Sequence, residues 1–101
     1  MSKVHLEFLS WLAYTVNLEN TGGKTILETI VQEGSTVRDL LNELATKQPR
    51  FEESVFDVKA QLLSERVSLF LNGQRLELFN GLDTSLRDGD TLSFVEPIVG
   101  G

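Results

Sequence analysis

The residues best placed to do chemistry stand at the end of the chain, where Pro97, Ile98, Val99, Gly100 and Gly101 follow the apolar run Leu92 to Val95. Glycine supplies roughly 7% of average residues, so a chance Gly-Gly terminus has a probability of about 0.5%. Two residues without Cβ make the narrowest and most flexible tail a polypeptide can have, able to enter channels that a side chain would block. Such a tail carries one reactive group, its carboxylate. Ionised far above its pKa of roughly 3.5, that group is a poor acyl electrophile until an oxygen is converted into a leaving group. The chain has no cysteine and one histidine, so a thiol nucleophile of its own is not expected. The plain alternative is a frayed terminus.

Other residues that could carry chemistry read more simply. Asp88 and Asp90 flank Gly89 and supply too few ligands for calcium, so a turn is expected and no metal site. His5 lies between Val4 and Leu6 and reads as the solvent-side member of a strand. Trp11 and Phe70 fit either an apolar docking patch or the core. Glu52, Glu53, Asp57, Asp88, Asp90 and Glu96 fit either steering of a basic partner or a merely solvated surface.

The elements that must position the tail belong to one domain, because 101 residues with 41% hydrophobic content bury a single modest core. Nine Lys plus Arg against fifteen Asp plus Glu give a net charge of −6, the wrong sign for releasing counterions from a phosphate backbone. Nucleic acid is not expected as a partner. With no signal-peptide pattern at Met1 to His5 and no bilayer-length apolar run, no membrane partner is expected and the cytoplasm is the default location.

Alternation of Val4, Leu6 and Phe8 with Lys3, His5 and Glu7 predicts a first strand. Ser10 to Leu18 stays unassigned, and Glu19 to Gly23 is a cluster of turn formers. Thr25 to Gln32 reads as a second strand, closed by Glu33-Gly34, which suggests a hairpin. Val37, Leu40, Leu41, Leu44 and Ala45 mark the clearest helix, with Thr36 as N-cap, Asp39 close to capping-box spacing and Pro49 at its end. Between Arg50 and Glu65, the stripe Phe51, Val55, Val58 and Leu62 allows a second helix; Phe56 and Leu63 fall off it, and a partial loop is the other reading. Val67, Leu69 and Leu71 predict a strand ending in the Asn72-Gly73 hairpin signal. A short strand from Arg75 to Phe79, a tight turn at Ser85 to Asp90 and a last strand from Thr91 to Val95 complete the pattern. Pro97, lacking an amide proton, ends the ladder. This order suits an α+β sheet with one main helix packed across one face. If the strands joined through the helix are parallel, the crossover should be right-handed.

Val67 to Gly73, Gly81 to Phe94 with its Asp88-Gly89-Asp90 turn, and Pro97 to Gly101 together resemble the ubiquitin-like sulfur carriers. These include the small subunit of molybdopterin synthase (MoaD), the thiamine carrier ThiS, a carrier of cysteine synthesis and the ubiquitin-related modifiers. The resemblance implies a β-grasp domain at 1–96 and a flexible reactive tail at 97–101. It further implies a carrier that is not itself an enzyme. A ubiquitin-activating-type adenylating enzyme would spend ATP to turn the Gly101 carboxylate into an acyl-adenylate, and sulfur would then replace the adenylate to leave a thiocarboxylate. Pro97, Ile98, Val99 and Gly100 would insert into the partner, with no cofactor bound by the chain itself. Val99 is β-branched where such tails often carry a small residue, which makes it wider and stiffer.

Three readings follow. As a sulfur carrier, the protein would feed a sulfur-accepting synthase of molybdopterin, thiamine or cysteine biosynthesis. As a protein modifier, Gly101 would be joined to lysines of target proteins. The third reading is a non-reacting ubiquitin-like interaction domain.

Overall fold

The computed structural model describes residues 1–9, 12 and 24–96. The readings made for Ser10, Trp11 and the 13–23 segment, and for the tail from Pro97 to Gly101, lie outside the described residues.

The sheet is built around its first strand, β1 (Ser2–Leu9). Its even-numbered side chains Val4, Leu6 and Phe8 are fully buried, the period-2 pattern of a strand with one face on a core. β2 (Lys24–Val31) returns antiparallel in a register running from Ser2 opposite Val31 to Leu9 opposite Lys24, as the hairpin reading expected. α1 (Val37–Lys47) follows and buries Val37, Leu40, Leu41 and Ala45. Its N-terminus is a full capping box: the Asp39 amide donates to Thr36 Oγ1 at 3.2 Å, and the Thr36 amide donates to Asp39 Oδ2 at 3.0 Å. Gln48 ends α1 in an extended conformation, because the Pro49 ring disfavours helical geometry in the residue before it.

The segment after Pro49 is only briefly helical. α2 (Pro49–Ser54) gives way to a small antiparallel hairpin of β3 (Phe56–Asp57) and β4 (Leu62–Leu63). A helical stripe through Leu62 is therefore corrected. Leu62 is 65% exposed, whereas Phe56, which falls off that stripe, is fully buried. The turn is closed locally: Asp57 Oδ1 accepts from the Lys59 and Ala60 amides at 3.0 and 3.2 Å. Aspartate used in this way competes with helix for the same donors. Gln61, at φ +53°, donates from Nε2 to Asn42 Oδ1 at 2.7 Å and to the Val58 carbonyl at 2.8 Å, tying the hairpin back to α1.

β5 (Ser68–Leu71) and β6 (Gln74–Arg75) form the expected hairpin. Asn72 and Gly73 take φ +52° and +84°, the two left-handed positions of a type I′ turn. The strand expected from Arg75 to Phe79 is two residues long before the chain bends into a 3-10 turn at Leu76–Leu78. Leu76 is buried, but Leu78 and Phe79 are exposed. A single inward side chain and the bond from the Phe79 amide to the Leu76 carbonyl at 3.0 Å favour a turn over continued pairing. A second 3-10 turn, Gly81–Asp83, leads to buried Leu86 and on to β7 (Thr91–Val95).

The sheet order is β2-β1-β7-β5-β6. β7 lies parallel to β1 and antiparallel to β5, so β2 and β5 run in the same direction on either side of the central pair. This mixed sheet with a helix on one face is the β-grasp architecture.

The corrected hairpin makes opposite demands on two apolar residues. Phe56→Ala should lower unfolding free energy by about 3–5 kcal/mol, while Leu62→Ser should change it by less than about 0.5 kcal/mol. Urea denaturation of both variants checks this; comparable losses would restore the helical reading.

Candidate functional site

The tail follows one of the two central strands of the sheet. β7 has β1 on one side and β5 on the other, and its inward residues Leu92 and Phe94 are fully buried. The Phe94 ring stacks on Phe8 with centroids 4.5 Å apart and planes 11° apart, and it meets Phe51 edge-on at 5.8 Å and 75°. Such pairs add about 0.5–1.5 kcal/mol each beyond their buried area. Val95 still pairs with Ser68, and Glu96 is exposed. The sheet therefore holds the chain as far as Val95, and Glu96, the last described residue, follows it outside the strand.

The start of β7 is fastened as firmly. In the turn before it, Asp88 Oδ1 accepts from the Lys3 amide at 2.7 Å, and Asp90 Oδ2 accepts from the Arg87 amide at 2.8 Å. Asp90 Oδ1 also accepts from Asn72 Nδ2 at 2.9 Å, while Asn72 Oδ1 accepts from the Thr91 amide at 2.9 Å. Gly89 sits at φ +89°, a conformation that costs a residue with Cβ about 1–2 kcal/mol. Both carboxylates are thus occupied by donors of the fold, which bears out the turn reading. Among the described residues no group of three or more His, Cys, Asp or Glu could hold a metal ion.

Phe70 lies on the sheet face opposite α1. Its neighbours Leu69 and Leu71 are buried in the core, whereas Phe70 is half-buried and stands across from Ser93 on β7 and Arg75 on β6. It contributes to the floor of a groove of about 680 Å³, lined also by Glu7, Arg75, Ser93, Val95 and Glu96. Ser93 donates from Oγ to Glu7 Oε1 at 3.2 Å inside it. The groove begins at the root of the tail. Trp11, the other residue read as a docking candidate, lies outside the described residues, as do Pro97, Ile98, Val99, Gly100 and Gly101. His5 is half-buried on the same outer face, with Nδ1 3.8 Å from Glu28 Oε2.

Sequence reasoning missed Glu7, Arg75 and Ser93 as members of this groove. Strand alternation puts Glu7 and Ser93 on outward positions, but only the parallel register of Glu7 opposite Ser93 brings them together. The acidic residues read as a steering set are scattered instead. Glu96 lines the groove, Asp88 and Asp90 hold the far end of β7, and Glu52 Oε2 accepts from the Val58 amide at 3.3 Å. No helix among the described residues is long and apolar enough to cross a membrane.

A five-stranded mixed sheet, a capped helix across one face and a central strand running into the tail define the ubiquitin-like β-grasp class. Residues 12–101 match the ThiS family, and the chain belongs to this family of ubiquitin-like sulfur carriers. Solved structures agree on the fold. Small archaeal modifier protein 1 from Haloferax volcanii is 20% identical, with a TM-score of 0.72 over 97% of this chain and all of its own. Urm1 from Trypanosoma brucei is 22% identical, with a TM-score of 0.73 over 99% and 96% of the two chains. A chain of the Amycolatopsis orientalis BexX/CysO complex is 19% identical, with a TM-score of 0.68 over 97% and 99%. No curated protein matches the chain by sequence.

The turn before β7 and the outer face of β5 should respond differently to substitution. Asp90→Ala removes the acceptor of two hydrogen bonds and should cost about 1–2 kcal/mol of stability. Phe70→Ser, on the outer face, should cost under about 1 kcal/mol. Thermal unfolding of the two variants measures the contrast, and a large loss for Phe70→Ser would place that ring in the core after all.

Proposed function

We propose that this protein is a sulfur carrier whose Gly101 carboxylate is adenylated by a partner enzyme and converted to a thiocarboxylate. The observation that supports this most directly is the anchoring of β7. A reactive terminus must be delivered to another protein's catalytic centre at a reproducible distance, and a central strand pinned at both ends gives the tail a rigid base. Beyond Glu96 the segment 97–101 can span roughly 16 Å when extended. Its narrow end, Gly100-Gly101, suits a channel.

The steps divide between the carrier and its partners. The Gly101 carboxylate oxygen attacks the α-phosphorus of ATP and displaces pyrophosphate, giving an acyl-adenylate. A persulfide sulfur then attacks the acyl carbon and expels AMP. A second thiol opens the resulting acyl disulfide, taking the other sulfur into a new disulfide and leaving the thiocarboxylate. With no cysteine in the chain, both thiols belong to the partners. ATP is their cofactor too. The groove at the tail root, with Phe70 in its floor and Glu7 and Glu96 at its side, would dock the adenylating enzyme while Pro97, Ile98, Val99 and Gly100 occupy its channel. The cytoplasm, where ATP and reduced thiols are available, is the proposed location.

Intact-mass measurement on protein from its native host tests this reading. An oxygen-to-sulfur exchange located at Gly101 supports the carrier. Lysine conjugates through Gly101 would instead favour a protein modifier that shares the acyl-adenylate step. Neither product, with normal function after deletion of Gly101, would leave only an interaction domain.

Gly100→Ala should reduce thiocarboxylate formation or sulfur transfer at least about tenfold without altering domain stability, because a Cβ there narrows the fit to a channel and strains no core. Phe70→Ser should weaken binding of the adenylating enzyme without changing the chemistry of the tail. Unchanged activation kinetics in Gly100→Ala would remove the narrow-channel argument.

A further inference from the structure

The dipeptide Asn-Gly occurs twice in the chain, at Asn72-Gly73 and at Asn80-Gly81. Asparagine is thermolabile, and most of all here. Glycine has no Cβ to shield its amide nitrogen or restrict its backbone, so that nitrogen can reach the side-chain carbonyl carbon of the asparagine before it. Both asparagines are exposed and border one shallow groove with Asp83, Arg87 and Asp90, so water and solvent base reach them alike. What separates them is hydrogen bonding.

Asn72 is held at three points. Its Nδ2 donates to Asp90 Oδ1 at 2.9 Å, its Oδ1 accepts from the Thr91 amide at 2.9 Å, and its own amide donates to the Thr91 carbonyl at 2.8 Å. The side chain cannot turn onto Gly73 without giving up the first two. Asn80 is held by its main chain: its amide donates to Thr84 Oγ1 at 3.0 Å, and its carbonyl accepts from the Asp83 amide at 3.1 Å. Among the described residues its carboxamide makes no hydrogen bond, and the Gly81 amide donates none. Neither reacting group has to leave a partner.

We propose that Asn80 is a site of spontaneous deamidation, and that the isoaspartate formed there loosens the turn holding the start of α1. Solvent base takes the Gly81 amide proton as its nitrogen attacks Asn80 Cγ. A C–N bond forms, the Cγ–Nδ2 bond breaks, and the leaving nitrogen takes a proton from water to depart as ammonia. Water then opens the cyclic imide. Attack at Cγ yields aspartate; attack at the main-chain carbonyl carbon yields isoaspartate, whose backbone runs through Cβ and Cγ and is one atom longer. Either product adds a negative charge to a chain that already carries −6.

The extra atom falls between two groups that one residue clamps. Thr84, buried at 8% exposure, accepts from the Asn80 amide and donates from Oγ1 to the Gly81 carbonyl at 2.6 Å. Its own carbonyl accepts from the Val37 amide at 2.9 Å, at the first residue of α1. Isoaspartate moves the clamped groups apart, whereas aspartate leaves the backbone as it is.

The test ages folded and urea-unfolded samples of the full chain in heavy-oxygen water at neutral and mildly alkaline pH, and peptide mapping by mass spectrometry reads oxygen uptake at each asparagine. In the folded chain Asn80 should convert at least about tenfold faster than Asn72, since two side-chain hydrogen bonds guard the latter. In urea the two rates should converge, and both should rise with pH. Asn80→Gln, whose longer side chain closes the larger ring far less readily, should stay unmodified at that position with an unchanged unfolding midpoint. The isoaspartate fraction, separated by chromatography and identified by isoaspartyl methyltransferase, should unfold at lower urea than Asn80→Asp. Equal or faster conversion at Asn72 in the folded chain, or no oxygen uptake at Asn80 while the unfolded chain takes it up, would overturn the site. An isoaspartate fraction as stable as Asn80→Asp would overturn its effect on the turn.

Discussion

The structure depends on the contact between its first and last strands. β1 and β7 lie parallel at the centre of the sheet, and the stacked rings of Phe8 and Phe94 close the core between them. Parallel neighbours cannot be joined by a tight hairpin, so everything between these strands is organised around a pairing that spans nearly the whole chain. α1 covers it, β2 and β5 flank it, and Phe51 from α2 meets it edge-on. Ion pairs contribute little by comparison. Lys47 with Glu43 is a surface i,i+4 pair worth about 0.3–0.5 kcal/mol, against about 3–5 kcal/mol for truncation of one buried phenylalanine.

From that pairing comes the separation of duties within the domain. One sheet face is committed to α1 and the core. The other carries the shallow groove of Phe70, Ser93 and Glu7 and opens at the root of the tail. The two edges differ as well: β6 is brief and bends away, while β2 pairs along all eight of its residues with β1, its one strand partner among the described residues. The Asp88-Gly89-Asp90 turn serves the same centre by a different route. Its carboxylates bind the Lys3 amide, the Arg87 amide and Asn72, so hydrogen bonds join the start of β7 to the start of β1 and to the β5–β6 hairpin.

Much of the fold was legible where local signals agreed. Thr36 and Asp39 with the Val37/Leu40/Leu41 stripe specify α1, and Asn72-Gly73 specifies its hairpin, because capping and left-handed turn positions are short-range chemistry. Legibility failed where one apolar residue decides the direction of the chain. Leu62 and Phe56 could not be ranked by spacing alone, since the Asp57 turn redirects the backbone between them. Leu76 and Leu78 look equivalent in sequence, yet only Leu76 finds room beneath the sheet. For the candidate site, Phe70 was visible as an aromatic with two readings, and its outward orientation was settled by its neighbours. Glu7, Arg75 and Ser93 were not visible at all.

By itself the sequence determined the class of fold, the helix and its caps, the turns and the glycine-rich tail, since each depends on residues within a few positions of one another. Tertiary structure alone decided that β7 lies parallel to β1, that Glu7 meets Ser93 beside Phe70, and that β2 pairs with β1 at the end of the described strand order. Those facts depend on register between segments far apart in the chain, and strand periodicity fixes which residues share a face without fixing which strand lies next to it.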